Sequence, residues 1–413
     1  MNFKRNIAVV LVDRANYGRM KPVMQCIKDH PKLHLITMCA GTMVLDRFGT
    51  PVNIVKKDGF KIDQEVFIEI EGSNPTTTAK TMGLSVIEFS NVFSRIKPDI
   101  LLFIGDRFET LGAMTAASYQ NICIAHIQGG EVSYTNDEVA RHAMTKIAHY
   151  HFPATIRAAK FIEMMGENPQ SIFPFGCPSV DIINKVNSNL SKDFFKGIGL
   201  GHPIDPEKKY FLVIFHPADT NNKDIKKQVE VILQVLESFQ VPTLWLWPNI
   251  DSGSNIINKT IRMYHEYEDS KWLFLVKNLN PEDYQKVLIN ATCAIGNSSS
   301  FVREASICGT PTVLTGDRQK GREVGKNVIK CPLIDSGELK KSINIALHSH
   351  RTQDFLYGVS DVSSRITETL VNIELYTQKH LHYVQHECEI NYNGKGFPKY
   401  ELERTNITGP KYG

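Results

Sequence analysis

Side chains able to do acid–base chemistry gather in one stretch of this chain, between Asp99 and His142. Two apolar runs within it, Ile100–Ile104 and Ile122–Ile127, read as buried parallel strands. The first breaks off in Gly105-Asp106-Arg107 and the second in Gln128-Gly129-Gly130-Glu131, with Asp137 shortly after. Open α/β sheets bind ligands outside the carboxyl ends of their strands. Asp106, Glu131 and Asp137 are therefore expected in one cleft. Clustered carboxylates raise one another's pKa, which lets one serve as base while another serves as acid. Asp137 and Arg141, and Glu138 and His142, also stand at i, i+4 on an expected helix. Helical pairing, about 0.2–0.5 kcal/mol per pair, explains Glu138 well and Asp137 less well.

The second half carries a different signal, Ile295-Gly296-Asn297-Ser298-Ser299-Ser300 followed by Arg303-Glu304. A strand ends, small residues turn the chain and a helix begins. Free backbone N–H groups with adjacent hydroxyls make an anion site there, although Ser298 as a simple helix cap accounts for the same residues. Glu304, inside that helix, would face the same cleft, where a carboxylate can accept both hydroxyls of a ribose. Gly316-Asp317-Arg318 follows the next strand and can bring a cation to the same phosphate. Arg322, in the loop Gly321–Gly325, reads either as a further ligand or as a solvated surface charge. His216 and Asn249 each follow a strand end, where they act on a ligand or serve the backbone. Arg14 directly follows the first strand as a diphosphate clamp or a surface ion pair. The segment Asp13–Gly18 lacks G-x-G-x-x-G, so no dinucleotide site is expected. His149/His151 and His380/His382 lack a third ligand in the sequence, so no metal is expected.

These residues need strands and helices in alternation. Ile7–Val12 and Leu35–Ala40 read as strands, and Arg19–Asp29 carries the i, i+3, i+4, i+7 stripe of a helix packed on a sheet. Residues 50–82 read as a loop and Leu84–Arg95 as a helix. Gly and Pro thicken over 174–209, where we place the domain junction. Alternation then restarts. The expected strands are Tyr210–Phe215, Thr243–Trp247, Trp272–Val276, Thr292–Ile295 and Pro311–Leu314. The expected helices are 223–239, Ser254–Tyr267, Pro281–Asn290 and a closing Ile366–Tyr376. The expected architecture is α/β: two doubly wound Rossmann-like domains with an interdomain cleft, as in the GT-B class of nucleotide-sugar enzymes. Residues 1–178 are expected to form the first domain, completed by a C-terminal helix 365–383. Residues 179–364 form the second, and 384–413 a polar tail.

Composition narrows the class. A chain of 413 residues suggests two cores. Its 47 basic and 44 acidic residues are interspersed, so neither nucleic-acid nor membrane-surface binding is implied. The apolar run near the start is too short for a signal or a membrane helix. Eight cysteines without a C-x-x-C pair suggest free thiols in a reducing cytosol.

Taken as an ordered set, several segments resemble the UDP-N-acetylglucosamine 2-epimerase family. They are Asp13–Tyr17, Gly105–Arg107, His126–Glu131, Arg141–Lys146, Phe215–Pro217, Gly296–Ser299 and Gly309–Gln319. The hydrolysing branch that opens sialic-acid synthesis is the nearest in pattern, and the resemblance spans about residues 5–375. It implies elimination of UDP across C1–C2 to a 2-acetamidoglucal. Addition of water at C1 and return of a proton to C2 from the other face then follow, giving N-acetylmannosamine and UDP. Matched positions imply Asp106, Glu131, Asp137 and His216 as catalytic. Arg14, Arg107, Arg318, Ser298, Ser299 and His216 would hold the diphosphate, and Asn249 and Glu304 the uridine or ribose. Arg19, Gln128 and Asn297 would complete the substrate site. No metal or cofactor is implied, and a homodimer or homotetramer is. Three departures stand out: Gln128 where several members carry an acid, Asn16 for an acid, and Arg19 for a lysine. Four alternatives stay open. One is a hydrolysing 2-epimerase of a UDP- or GDP-linked diacetamido sugar, on the way to legionaminic acid. The others are a non-hydrolysing epimerase, a GT-B glycosyltransferase and a nucleotide-sugar binder without turnover.

Overall fold

A computed structural model describes residues 4–72, 74–218, 224–248, 253–267 and 270–382. Asn249 and the 384–413 segment lie outside the described residues. Strands β1 (Arg5–Leu11), β2 (Leu33–Ala40), β3 (Gln64–Val66), β4 (Ile100–Ile104), β5 (Cys123–Ile127) and β6 (Tyr150–Phe152) form one sheet, in the order β3-β2-β1-β4-β5-β6. All its pairings are parallel. The second sheet contains β7 (Leu200–Gly201), β8 (Phe211–Ile214), β9 (Thr243–Leu246), β10 (Leu273–Val276), β11 (Cys293–Gly296), β12 (Thr312–Thr315) and β13 (Val328–Cys331). Its order is β13-β12-β11-β8-β9-β10-β7, with only β7 antiparallel, on the edge. Each sheet thus has the doubly wound Rossmann order, which reverses between β1 and β4 in one and between β8 and β11 in the other.

Strand alternation builds the layers. Ile7, Val9 and Leu11 of β1 face one core with the helices Arg14–Asp29 and Val362–Asn372. Ala8, Val10 and Val12 face the opposite core, with Phe89, Val92 and Phe93 of the helix Pro75–Ile96. Phe211, Val213 and Phe215 likewise face away from Leu212 and Ile214 in the second sheet. Both faces are apolar because helices cover both, the reason these strands read as unbroken apolar runs. Val302, Ile307 and Leu314 of the second half join the first core, so apolar packing is continuous between the halves.

Several expected elements are corrected. The first helix begins at Arg14, not Arg19, because Asp13 caps it by accepting the Asn16 N–H at 2.6 Å. The expected loop over 50–82 contains a helix Val52–Lys57, strand β3 and the start of the helix Pro75–Ile96. There Asn74 accepts from Thr77 N, and Thr77 Oγ1 accepts from Asn74 N, with Pro75 in the first turn. That capping box uses the Asn-Pro-Thr residues whose polarity suggested a loop. Strand β13 and the helix Ser336–His348 were missed. The closing helix is Val362–Asn372, ending well before residue 383, and residues 373–382 run on without regular helix. All seven described cysteines are free.

Replacing Asn74 with Ala removes this cap. Stability should fall by about 1 kcal/mol, read as a lower urea midpoint at unchanged slope.

Candidate functional site

The two sheets present their carboxyl ends to one cleft. Asp13 and Arg14 follow β1, Asp106 and Arg107 follow β4, and His216 follows β8. Trp247 follows β9, Lys277 follows β10, Ser298–Ser300 follow β11 and Arg318 follows β12, and all line the same cleft. The loops at the two reversals of strand order, after β1 and β4 and after β8 and β11, all reach the cleft, as doubly wound sheets direct. Two glycines permit the approach. Gly105 has φ +90° with Asn16 and Arg19 side chains 3.3 Å from where a Cβ would sit. Gly296 has φ +140°, and a Cβ there would lie 2.0 Å from Ile214 O.

Arg141 organises the acidic wall. It is buried, donates to Asp106 Oδ2, to Glu131 O at 2.7 Å and to Ser133 Oγ at 3.1 Å. The sequence offered it as a helical partner of Asp137 and within a segment of the resemblance, with no role at Asp106. Burial by itself would raise the Asp106 pKa. Arg141, helped by Arg322 and Arg19, overrides burial and holds the carboxyl below the usual carboxylate range. Asp137, in the first turn of the helix Asn136–Ile147, lines the cleft with Arg318 Nη2 3.7 Å away.

Glu131 is placed differently from its expected companions. Its carboxylate is not on the cleft wall but behind Arg303, which donates to it at 2.7 and 3.3 Å, with Arg322 at 3.2 Å. Burial opposes its charge, and these two arginines more than reverse that, lowering its pKa. Arg322 is accordingly a buried partner and not a surface charge. Arg303, seen in the sequence only as a neighbour of Glu304, is fully engaged here. Other contacts also cross from one half to the other: Tyr134 N donates to Arg318 O, Arg157 to Gly321 O and Thr155 Oγ1 to Glu323.

The opposite wall suits a nucleotide. Ser298, Ser299 and Ser300 open the helix Ser300–Cys308 and line the cleft. Glu304, buried in that helix, accepts from Ser179 Oγ at 2.8 Å through Oε1, while Oε2 is buried without a partner. Burial raises its pKa despite Arg303 and Arg19. A pair of hydroxyl donors would satisfy that atom. Arg14 reaches across to Lys277 O and lines the cleft, as does Arg19.

Three expected ligands have protein partners of their own. Asn297 does not line the cleft. Its amide clasps the His216 backbone, accepting from His216 N at 2.7 Å and donating to His216 O at 2.8 Å. Gln128 is buried beneath the cleft at φ +68°, accepting from Arg19 at 2.6 Å and donating to Cys177 Sγ at 3.0 Å. It therefore positions Arg19 without reaching the cleft. Arg107 lines the cleft, yet its guanidinium pairs with Glu109 at 2.9 Å and lies 3.7 Å from Asp13, which partly neutralises it. Asn249 lies outside the described residues. Around the cleft, Arg14, Arg19, Arg107, Arg141, Lys277, Arg303, Arg318 and Arg322 outnumber Asp13, Asp106, Asp137 and Glu304. The excess favours a polyanion such as a diphosphate, with carboxylates left to handle protons.

Asp106 and Glu131 are both more acidic than unfolded carboxylates. Each therefore contributes stability above its unfolded pKa, and the contribution is lost as pH falls through the folded value. Stability should drop on acidification below about pH 4. Glu131→Gln should remove part of that pH dependence and cost about 3–5 kcal/mol, because two buried arginines lose their anion. Calorimetry across pH reads both.

Comparison with known proteins places the chain as follows. The UDP-N-acetylglucosamine 2-epimerase family model matches residues 25–371. The UDP-N,N'-diacetylbacillosamine 2-epimerase (hydrolyzing) of Legionella pneumophila is 32% identical over 376 residues, covering 91% of this chain and 97% of that protein. The polysialic acid biosynthesis protein P7 of Escherichia coli is 29% identical over 345 residues, covering 83% and 86%. Among solved structures, the Methanocaldococcus jannaschii UDP-GlcNAc 2-epimerase in complex with UDP-GlcNAc and UDP superposes with TM-score 0.72 at 18% identity. That match covers 88% of this chain and 99% of the other, a likeness of fold.

Proposed function

The chain belongs to the UDP-N-acetylglucosamine 2-epimerase family, and from that premise we propose that it is a hydrolysing 2-epimerase of a UDP-linked 2-acetamido sugar. UDP-N-acetylglucosamine is the first candidate, with N-acetylmannosamine and UDP as products. One observation carries the reading. Two carboxylates, Asp106 and Asp137, share a cleft with an arginine-rich wall and a serine-rich helix start. Proton abstraction at carbon and departure of a diphosphate need those two features side by side.

In this reading the uridine ribose is held by Glu304, whose free oxygen accepts its hydroxyls. Ser298, Ser299, Arg14, Arg318 and His216 hold the diphosphate. As the C1–O bond breaks, charge grows on the β-phosphate. Donors already aimed there stabilise it without reorganising. Asp106, kept ionised by Arg141, accepts the C2 proton as UDP leaves, and the C2–H electron pair forms the C1–C2 double bond of the 2-acetamidoglucal. Water adds its oxygen to C1 as Asp137, in its protonated form, gives a proton to C2 from the opposite face. The water's remaining proton restores Asp137, and the proton taken up by Asp106 passes to solvent. The sum consumes one water and releases UDP and the epimeric free sugar. Glu131 acts through Arg303 and Arg322, holding the two walls at working distance.

A second reading concerns the substrate. Full-length similarity to the Legionella diacetylbacillosamine enzyme favours a UDP-linked diacetamido sugar in the same chemistry. Incubating the protein with each nucleotide sugar in deuterated water separates these readings. Free UDP with the C2-deuterated mannosamine-type product is expected from one of the two. Formation of a UDP-linked epimer would overturn the hydrolysing assignment, and binding of both sugars without turnover would overturn the enzyme assignment. Asp106→Asn should abolish turnover while UDP still binds. Glu304→Ala should weaken UDP about tenfold or more by titration calorimetry, and unchanged affinity would remove it from the ribose site.

A further inference from the structure

Beyond the closing helix, residues 373–382 return across the first half, pass the C-terminal end of the helix Asn136–Ile147 and end at Gly166. Tyr150 Oη donates to Glu374 O at 2.6 Å and Tyr376 Oη to His149 O at 3.1 Å. His382 N donates to Gly166 O at 3.1 Å. This strap carries one deeply placed charge. Lys379 Nζ lies 2.6 Å from Ala148 O, 2.7 Å from Lys146 O and 3.2 Å from Thr145 O. These carbonyls end the helix and its cap, where the last turn leaves acceptors without helical partners and the helix dipole is negative. Glu167 completes the cluster. It is 2% exposed, and its two oxygens meet Lys379 at 2.5 Å, Lys146 at 2.6 Å and His151 at 3.2 Å. Lys379 is thus held between a buried carboxylate and a helix C-terminus supplied by residues more than 200 positions earlier.

The other end of the same helix carries the chemistry. Asp137 stands in its first turn, and Arg141, one turn on, holds Asp106 and the Glu131 carbonyl. Twelve residues make a rod of about 18 Å, and a rod moves as one piece. Arg141 meets three partners at hydrogen-bond length, so a slide of the helix along its axis loosens all of them together. We propose that Lys379 is a positioning residue for the reaction: by capping the C-terminal end of the helix Asn136–Ile147 it sets where Asp137 and, through Arg141, Asp106 stand in the cleft. This rests on the reading of Asp106 and Asp137 as proton-transfer groups.

The test compares three full-length variants with wild type, by steady-state kinetics on the turned-over nucleotide sugar, thermal melting and amide hydrogen exchange. Lys379→Met should lower kcat about tenfold with KM changed less than twofold, because misplacement of reacting groups costs rate at constant binding. Lys379→Arg, which keeps a cation at the helix end, should recover most of that loss. Tyr376→Phe loosens the strap without touching the cap and should lower the melting temperature with kcat kept. Exchange should quicken in Lys379→Met at residues 136–142, at the far end from the substitution. Wild-type kcat in Lys379→Met, or exchange that quickens only at 145–150, would overturn the proposal. If wild type turns over neither sugar, it is the proposed function that fails, and the exchange pattern alone then decides whether Lys379 positions the catalytic end of the helix.

Discussion

The carboxylate of Glu131, buried between Arg303 and Arg322, is the contact on which the geometry of the cleft depends. Glu131 belongs to the loop after β5, whereas both arginines belong to the second half of the chain. A buried ion pair is a weak source of net stability, since desolvation offsets most of the attraction. Its directional demands are strict, however. Two guanidinium groups can satisfy one carboxylate in few arrangements, so the cluster selects how the sheets face each other. Apolar contacts from Val302, Ile307 and Leu314 into the first core supply attraction without that selectivity.

Charge in the cleft then follows from the same arrangement. Arg322 pairs with Glu131 and also adds to the potential that keeps Asp106 ionised. Arg141 bridges the Asp106 carboxylate and the backbone of Glu131, so the two acidic loops are tied together before any ligand arrives. On the facing wall, Asn297 clasps the His216 peptide and joins the β8 and β11 loops at the point where strand order reverses. Glu304 is the counterpoint, a buried carboxylate with one oxygen unsatisfied. The protein wall is therefore largely satisfied within itself, with the Glu304 acceptor left open.

Much of the fold was legible along the chain. The strand Ile100–Ile104 and the helices Ser254–Tyr267 and Pro281–Asn290 match the expected bounds; an unbroken apolar run marks the strand, and Asn280 with Pro281 caps the latter helix. Failures came where polar residues serve local structure. Asn74, Pro75 and Thr77 looked like a loop and are a capping box. Arg322 read either as a ligand or as a solvated charge and is a buried partner of Glu131, which is nearly 200 residues away. Gln128 and Asn297 were implied at the ligand by the family resemblance. Both follow strand ends, but a strand end offers side chains to the cleft, to the layer beneath it and to the adjacent loop alike.

By itself, then, the sequence determined which residues end strands, hence the doubly wound halves and the group of Asp106, Asp137, His216, Ser298 and Glu304 near one cleft. Periodicity and chain punctuation are local, and they register in short windows. Only the tertiary structure decided which charges neutralise each other: Arg141 with Asp106, Arg303 and Arg322 with Glu131, Lys379 with Glu167 and a helix end. Those pairings join residues from about 35 to more than 200 positions apart, and no local pattern encodes them. Because a carboxylate's proton affinity depends on the cation beside it, the acid–base character of the site was set by the fold and not by the residues alone.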